Sequence, residues 1–319
     1  MNIKKKILIL GSNGFFGKNL KKLLKCSDMD LYYIERKDVD ILDKEKLMLI
    51  FSNITPDIVI NCCGLIGSSE SNKFLNQFTI LNTNLLLNIN ILECCDKYNV
   101  KKLITFSTYR LFMNVEENYN EEDININLKN ENNIGYLLSK SIMNIQIKLL
   151  KKKSTIKIIC LILPNIFGLF DNFSVNGRII PSLICKLHLA NKQNDDLFIH
   201  SNSNVLVNII FIDDIVKLIH HSIYENIEGN ILVFNEDSTF NLLEVTQQLS
   251  KIMNFKNKIY FEDCEKNNVD DAKIMKPNLS TFQKNFTNFK FTNVSIALQK
   301  TVEFFYSTME FNKEYELNI

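Results

Sequence analysis

The chain has 319 residues, 46% hydrophobic and 23% charged, a composition that buries a full core and rules out disorder as the general description. Lysine plus arginine (37) nearly cancel aspartate plus glutamate (36) for a net charge of +1, so neither nucleic acid nor an anionic membrane is expected as a partner. The basic start, Lys4-Lys5-Lys6, is followed by only four apolar residues before Gly11, too few for a signal-peptide core or a membrane span, and a cytosolic protein is expected.

Along the first half, apolar runs of strand length alternate with amphipathic stretches of helix length. Strands are predicted at 6–10, 31–34, 58–61, 103–106 and 156–161, with helices at 15–25, 43–52, 76–98 and 134–152. This alternation predicts βαβ units around a parallel sheet: an α/β, Rossmann-type doubly wound fold. The Asn/Glu-rich stretch 114–133 reads as a surface loop. From about residue 170 the elements shorten, with helices predicted at 179–191, 213–224 and 242–253 and a strand at 209–211. The expected organisation is a dinucleotide-binding domain at 1–170 and a smaller C-terminal, substrate-binding lobe at 171–319, some elements of which return to the first domain. Eight cysteines sit mostly in apolar stretches without metal-ligand spacing; reduced packing residues and no metal are expected.

Gly11-Ser12-Asn13-Gly14-Phe15-Phe16-Gly17 follows the first strand and opens the first helix. That context gives a Gly-x-x-Gly-x-x-Gly run its meaning, because glycines permit a tight turn and close approach of backbone N–H groups to a pyrophosphate at a helix N-terminus. The second strand ends in Glu35-Arg36-Lys37. A carboxylate there binds the ribose 2′-hydroxyl of NAD, whereas Arg36 and Lys37 neutralise the 2′-phosphate of NADP. The cations favour NADP. Asp40 and Ile41 are placed either to contact adenine or to cap the next helix.

Tyr136-Leu-Leu-Ser-Lys140 opens a predicted helix, and the i, i+4 spacing puts phenol and ammonium on one face. A nearby lysine lowers the phenol pKa, so Tyr136 can exchange a proton with a carbonyl or hydroxyl during hydride transfer. The spacing alone is common and mostly structural. Its weight comes from Thr108 at the end of the fourth strand and from Asn84 in the long preceding helix.

These motifs in this order resemble the extended short-chain dehydrogenase/reductases. Within them, Pro164-Asn-Ile-Phe-Gly-Leu-Phe-Asp171-Asn172-Phe173, Arg178-Ile-Ile-Pro181, Lys186-Leu-His188-Leu-Ala190, Phe211-Ile-Asp213-Asp214 and the closing run from Phe289 resemble the GDP-L-fucose synthase family. The resemblance covers nearly the whole chain. It implies NADPH-dependent conversion of GDP-4-keto-6-deoxy-D-mannose to GDP-L-fucose, by epimerisation at C3 and C5 and reduction at C4. It places further cofactor contacts at Cys63, Pro164, Asn165 and Ile166. Substrate contacts are implied at Asn165, Lys186, Lys273 and the position of Val207, where the family carries an arginine for the pyrophosphate. It also implies a homodimer joined through helices 76–98 and 134–152, with Leu85, Leu86, Ile89, Leu92, Ile142 and Ile145 as candidates for that face or, alternatively, for packing on the sheet.

Three family residues of the catalytic set are replaced. The serine aligns with Thr108, the proton-transfer cysteine with Arg110 and the proton-transfer histidine with Arg178. A guanidinium, with a pKa above about 12, is a poor acid or base near neutrality, which puts the epimerase step in question. Two readings of the arginines stand: half-buried partners of acidic neighbours, or anion-binding groups lining the sugar pocket. Reduction without epimerisation and a non-catalytic dinucleotide-binding homologue are the competing readings of function.

Overall fold

The computed structural model describes residues 4–66, 76–112, 121, 133–262 and 277–311. Six parallel strands, β1 (Lys5–Leu10), β2 (Met29–Ile34), β3 (Ile58–Asn61), β4 (Lys102–Thr108), β5 (Lys157–Leu163) and β9 (Gly229–Leu232), form a sheet in the order β2-β1-β3-β4-β5-β9. The order reverses between β1 and β3, the switch point where a doubly wound sheet opens a crevice at the carboxyl ends of its strands. All five strands expected in the first half are present. The sixth, β9, begins Gly-Asn and is only four residues long, too short for its apolar end to stand out as a strand signal.

Both faces of the sheet are covered, as a continuous run of Ile and Leu requires. Leu8 and Leu10 of β1 join helices α2 (Lys44–Ile54), α3 (Gln77–Lys97) and α4 (Ile134–Lys151) in one apolar cluster. Ile7 and Ile9, which point to the opposite face, are equally buried.

The chain divides into two compact units. One holds residues 1–164, 215–233 and 276–289, and the other holds 165–214, 234–275 and 290–319. Helix α6 (Ile212–Tyr224) therefore begins in the second unit and continues in the first. At its far end, Lys102 Nζ donates to the carbonyls of Ser222 (2.6 Å), Ile223 (3.2 Å) and Glu225 (2.7 Å). A buried ammonium thus satisfies the carbonyls that a helix C-terminus leaves unpaired.

The second unit is built on a three-stranded sheet of β10 (Thr239–Asn241), β8 (Leu206–Phe211) and β6 (Asn165–Phe167), and a two-stranded parallel sheet of β7 (Leu197–Ile199) and β11 (Ile259–Phe261). Its helices are α5 (Ile179–Gln193), α7 (Leu242–Ile252) and α9 (Val294–Phe311). Helix α7 starts where Asn241 and Glu244 cap each other's backbone N–H, both at 2.8 Å. No described helix is long and apolar enough to cross a membrane.

Candidate active site

The glycine run performs the turn expected of it. Gly11 adopts φ +74°, a conformation open to glycine. A Cβ on Gly17 would lie 2.3 Å from Ser12 Cα, so the missing side chain lets the first turn of α1 (Phe15–Leu23) rest on the strand end. Ser12 N–H donates to the Ile34 carbonyl at 3.0 Å, and Gly14 N–H to the Gly11 carbonyl at 3.1 Å. Gly14 caps α1 without a side chain. The two backbone bonds fix the turn, and the N-terminus of α1, with the positive end of its dipole, lies at the carboxyl end of β1 by the switch point, where a pyrophosphate is held in such folds.

At the end of β2 the acid and the bases lie together. The Glu35 carboxylate accepts from Lys21 Nζ at 2.5 Å and pairs with Lys37 at 3.2 Å. These two ammonium groups, Lys21 first, hold its pKa below the usual carboxylate range. Arg36 projects into solvent with 89% of its side chain exposed and Asp40 at 4.0 Å. Ile41 is turned inward: it packs in the apolar cluster with Val39 and Leu47, and its carbonyl takes a hydrogen bond from Asn90 at 2.9 Å. Of the pair expected at adenine, only Asp40 is exposed, because the alternation of the turn spends Ile41 on the core.

Lys140 Nζ donates to the Phe106 carbonyl at 2.9 Å, near the carboxyl end of β4. Burial pulls its pKa below the ordinary lysine value. The same ammonium lies 5.9 Å from the centre of the Tyr136 ring. Thr108 Oγ1 accepts the Arg110 N–H at 3.3 Å, inside the one-turn 3-10 helix that follows β4. Its neighbour Ser107 is buried, with an Oγ that has no hydrogen-bond partner among the described residues. Thr108 is the hydroxyl expected from the sequence at this strand end, and its side chain stays beside the turn while Ser107 Oγ is fully buried.

Asn84 is buried and fully engaged. Its Nδ2 donates to the Leu65 carbonyl (3.0 Å) and to Ser139 Oγ (3.2 Å), and its Oδ1 accepts the Leu65 N–H (2.8 Å). It ties the segment after β3 to α4 one residue before Lys140, a positioning role. Cys63 sits beside Gly11, where its Sγ would be 2.8 Å from an added Cβ. Burial pushes its thiol up to about 12, so it lines the turn as an uncharged group.

In the second unit, Arg178 caps α5 and donates to Asp171 Oδ1 at 2.6 Å. The Asp171 side chain is almost wholly buried, and burial raises its pKa against the pull of Arg178. The arrangement matches the first of the two arginine readings, a guanidinium on an acidic neighbour. Val207 is buried in β8, its Cα opposite Phe240; an apolar packing group cannot take the place of an arginine on a phosphate. Lys186 is half-buried on α5, and Asn165 Nδ2 donates to the Asn208 carbonyl at 3.1 Å. Ile166 is buried in β6 opposite Ile210, and Pro164 ends the first segment of the first unit. Lys273 and most of the 114–133 loop lie outside the described residues. The described residues contain no group of three or more His, Cys, Asp or Glu able to hold a metal.

Known proteins give the same picture. A GDP-L-fucose synthase of Dictyostelium discoideum is 26% identical over 316 residues, covering 96% of this chain and 97% of that protein. The crystal structure of a GDP-L-fucose synthetase from Naegleria fowleri bound to NADP superposes with a TM-score of 0.87 at 22% identity, over 97% of this chain and 95% of that one. A GDP-6-OMe-4-keto-L-xylo-heptose reductase from C. jejuni shares the fold at a TM-score of 0.84 and 17% identity, over 97% and 99% of the two chains. Residues 7–234, from β1 through β9 with the glycine turn and the Tyr136/Lys140 pair between them, match the NAD dependent epimerase/dehydratase family, and the chain belongs to it.

Proposed function

We propose that the chain is an NADP-dependent epimerase and reductase that converts GDP-4-keto-6-deoxy-D-mannose to GDP-L-fucose. One observation carries the reading: Lys140 is buried, held on the Phe106 carbonyl and set beside Tyr136, on a helix packed against the parallel sheet whose first strand leads into the glycine turn. Lys102, the other buried lysine described above, caps a helix end with three carbonyls, whereas Lys140 is set beside a phenol that it can influence. The names of the relatives described above support the choice of a GDP-linked 4-keto sugar.

The residues fit the cofactor. Gly11 and Gly17 bring backbone to the pyrophosphate, with Asn13, Phe15 and Phe16 beside them, and Arg36 supplies the cation for a 2′-phosphate. Bound there, the reduced dinucleotide supplies a hydride. Tyr136 gives the C4 oxygen its proton, and the Lys140 ammonium favours the phenolate left behind. Ser107 or Thr108 polarises the same oxygen. Thr108 is the stronger candidate: its Oγ1 accepts the Arg110 N–H, which leaves its own O–H to donate, whereas the Ser107 Oγ is fully buried. The second unit, through Asn165, Lys186 and Lys273, takes the nucleotide sugar.

A second reading is 4-keto reduction without epimerisation. It rests on Arg178, paired with Asp171 where the family's proton-transfer histidine is expected. The two separate in deuterated water with NADPH and the keto sugar. GDP-L-fucose carrying two solvent deuteriums establishes the first reading. A product that keeps the D-configuration at C5, without solvent deuterium at C3 and C5, establishes the second. NADPH binding without any turnover contradicts both.

The enzyme works in the cytosol on this reading, where the free cysteines of the described residues stay reduced. It forms a homodimer through α3 and α4, which pack on each other. Their outer faces expose Phe78, Leu86, Ile89, Ile145 and Leu149, an apolar stripe that a second copy covers. Leu92, expected on that stripe, packs instead in the sheet-side cluster.

A further inference from the structure

Glu35 poses a problem for an NADP site. A carboxylate at the end of the second strand is the group that accepts the ribose 2′-hydroxyl of NAD, and it repels a 2′-phosphate. We propose that Lys21 selects the cofactor by holding Glu35 in an ion pair, which withdraws the carboxylate from the 2′-hydroxyl of NADH and leaves Arg36 to meet the 2′-phosphate of NADPH. The inference rests on the NADP reading and names the residue that enforces it.

Geometry separates the two lysines on Glu35. Lys21 Nζ is 2.5 Å from Oε1, Lys37 Nζ is 3.2 Å from Oε2, and the Lys21 side chain is 37% exposed against 76% for Lys37. Lys21 projects from the last turn of α1, and its Nζ also lies 5.5 Å from the centre of the Tyr33 ring. It is therefore held between β2 and the carboxylate, whereas Lys37 is a loop residue in water. The backbone is fixed as well, since Glu35 N–H donates to Asp38 Oδ2 at 2.8 Å. Lys21, Arg36 and Lys37 balance Glu35, Asp38 and Asp40. Without Lys21 the patch turns net negative, which repels a phosphate dianion, and Oε1 is released to accept a hydroxyl. The ordinary role of such a lysine is a surface ion pair near a helix C-terminus, and such pairs add little to stability. Cofactor preference and melting temperature therefore report on different roles.

The test is a titration of the purified full chain with NADPH and with NADH, followed by nicotinamide fluorescence, for the wild type and Lys21→Met, Lys21→Arg, Glu35→Gln and Lys21→Met with Glu35→Gln. In Lys21→Met the ratio of NADH to NADPH dissociation constants is expected to fall about tenfold, the scale of one charge-assisted hydrogen bond, chiefly through tighter NADH. Lys21→Arg keeps the wild-type ratio, and the double variant gains no NADH affinity. Glu35→Gln alone leaves NADH affinity within about twofold, because the carboxylate is already withdrawn. A ratio in Lys21→Met within about twofold of wild type overturns the inference, as does a tenfold loss of NADH affinity in Glu35→Gln. A wild type that binds both cofactors alike contradicts the NADP reading. Tighter NADH in Lys21→Met then still establishes the action of Lys21 on Glu35.

Discussion

Single residues decide the chemistry. Tyr136→Phe removes the proton donor while leaving ring and packing in place, so turnover is expected to fall by about a hundredfold or more with NADPH affinity unchanged; a loss confined to affinity would assign the phenol to binding alone. Gly17→Ala places a Cβ 2.3 Å from backbone that cannot move aside cheaply, and calorimetric titration is expected to show NADPH binding abolished or severely weakened. Arg36→Ala is expected to lose about 1–3 kcal/mol of NADPH affinity and little of NADH affinity; equal losses for both would place the guanidinium away from the 2′-phosphate. The glycine run and the Tyr136/Lys140 spacing were legible in the sequence because each is local, fixed by one turn or one helical repeat. The burial that sets Ser107 apart from Thr108 was not, since it depends on how the end of β4 packs. Nor was the Arg178–Asp171 pair, whose partners are brought together by a loop in which Phe170 takes φ +61°.

At the scale of elements, the parallel sheet follows from apolar runs buried on both faces, and its first five strands could be read directly. Short elements could not. β6, β7, β10 and β11 have three residues each, and their pairing is set by partners distant in sequence rather than by periodicity. Helix α9 was readable: Ala297, Leu298, Thr301, Val302 and Phe305 are buried at helical spacing, yet the segment was recognised only as a family motif. The clasp of Lys102 on the end of α6 was hidden, because a lysine at a strand start reads as solvated. Lys102→Met leaves three buried carbonyls without their donor and is expected to destabilise the fold by about 1–3 kcal/mol, seen as an earlier denaturation midpoint; an unchanged midpoint would show that water replaces the ammonium. The apolar stripe on α3 and α4 predicts a dimer by light scattering, and Leu86→Glu with Ile145→Glu should yield a folded monomer. A monomeric wild type at micromolar concentration would contradict the pairing.

Over the whole molecule, neutral charge, a switch point bearing a glycine turn and a buried lysine beside a tyrosine describe an enzyme that moves a hydride and a proton to one oxygen. The resemblance stated from the sequence agrees with the family match over residues 7–234. The departures at Arg110, Arg178 and Val207 bear on epimerisation and phosphate binding and leave the reductive groups intact. Reduction at C4 is thus the claim common to both readings of the function. Its most direct test supplies GDP-4-keto-6-deoxy-D-mannose and NADPH deuterated at the transferable position of the nicotinamide, with the product sugar read by mass spectrometry and NMR. One deuterium is expected, at C4 of the sugar, formed in step with oxidation of the cofactor and lost in Tyr136→Phe; oxidation without deuterium in the sugar, or no oxidation at all by protein that binds NADPH, would contradict reduction at C4.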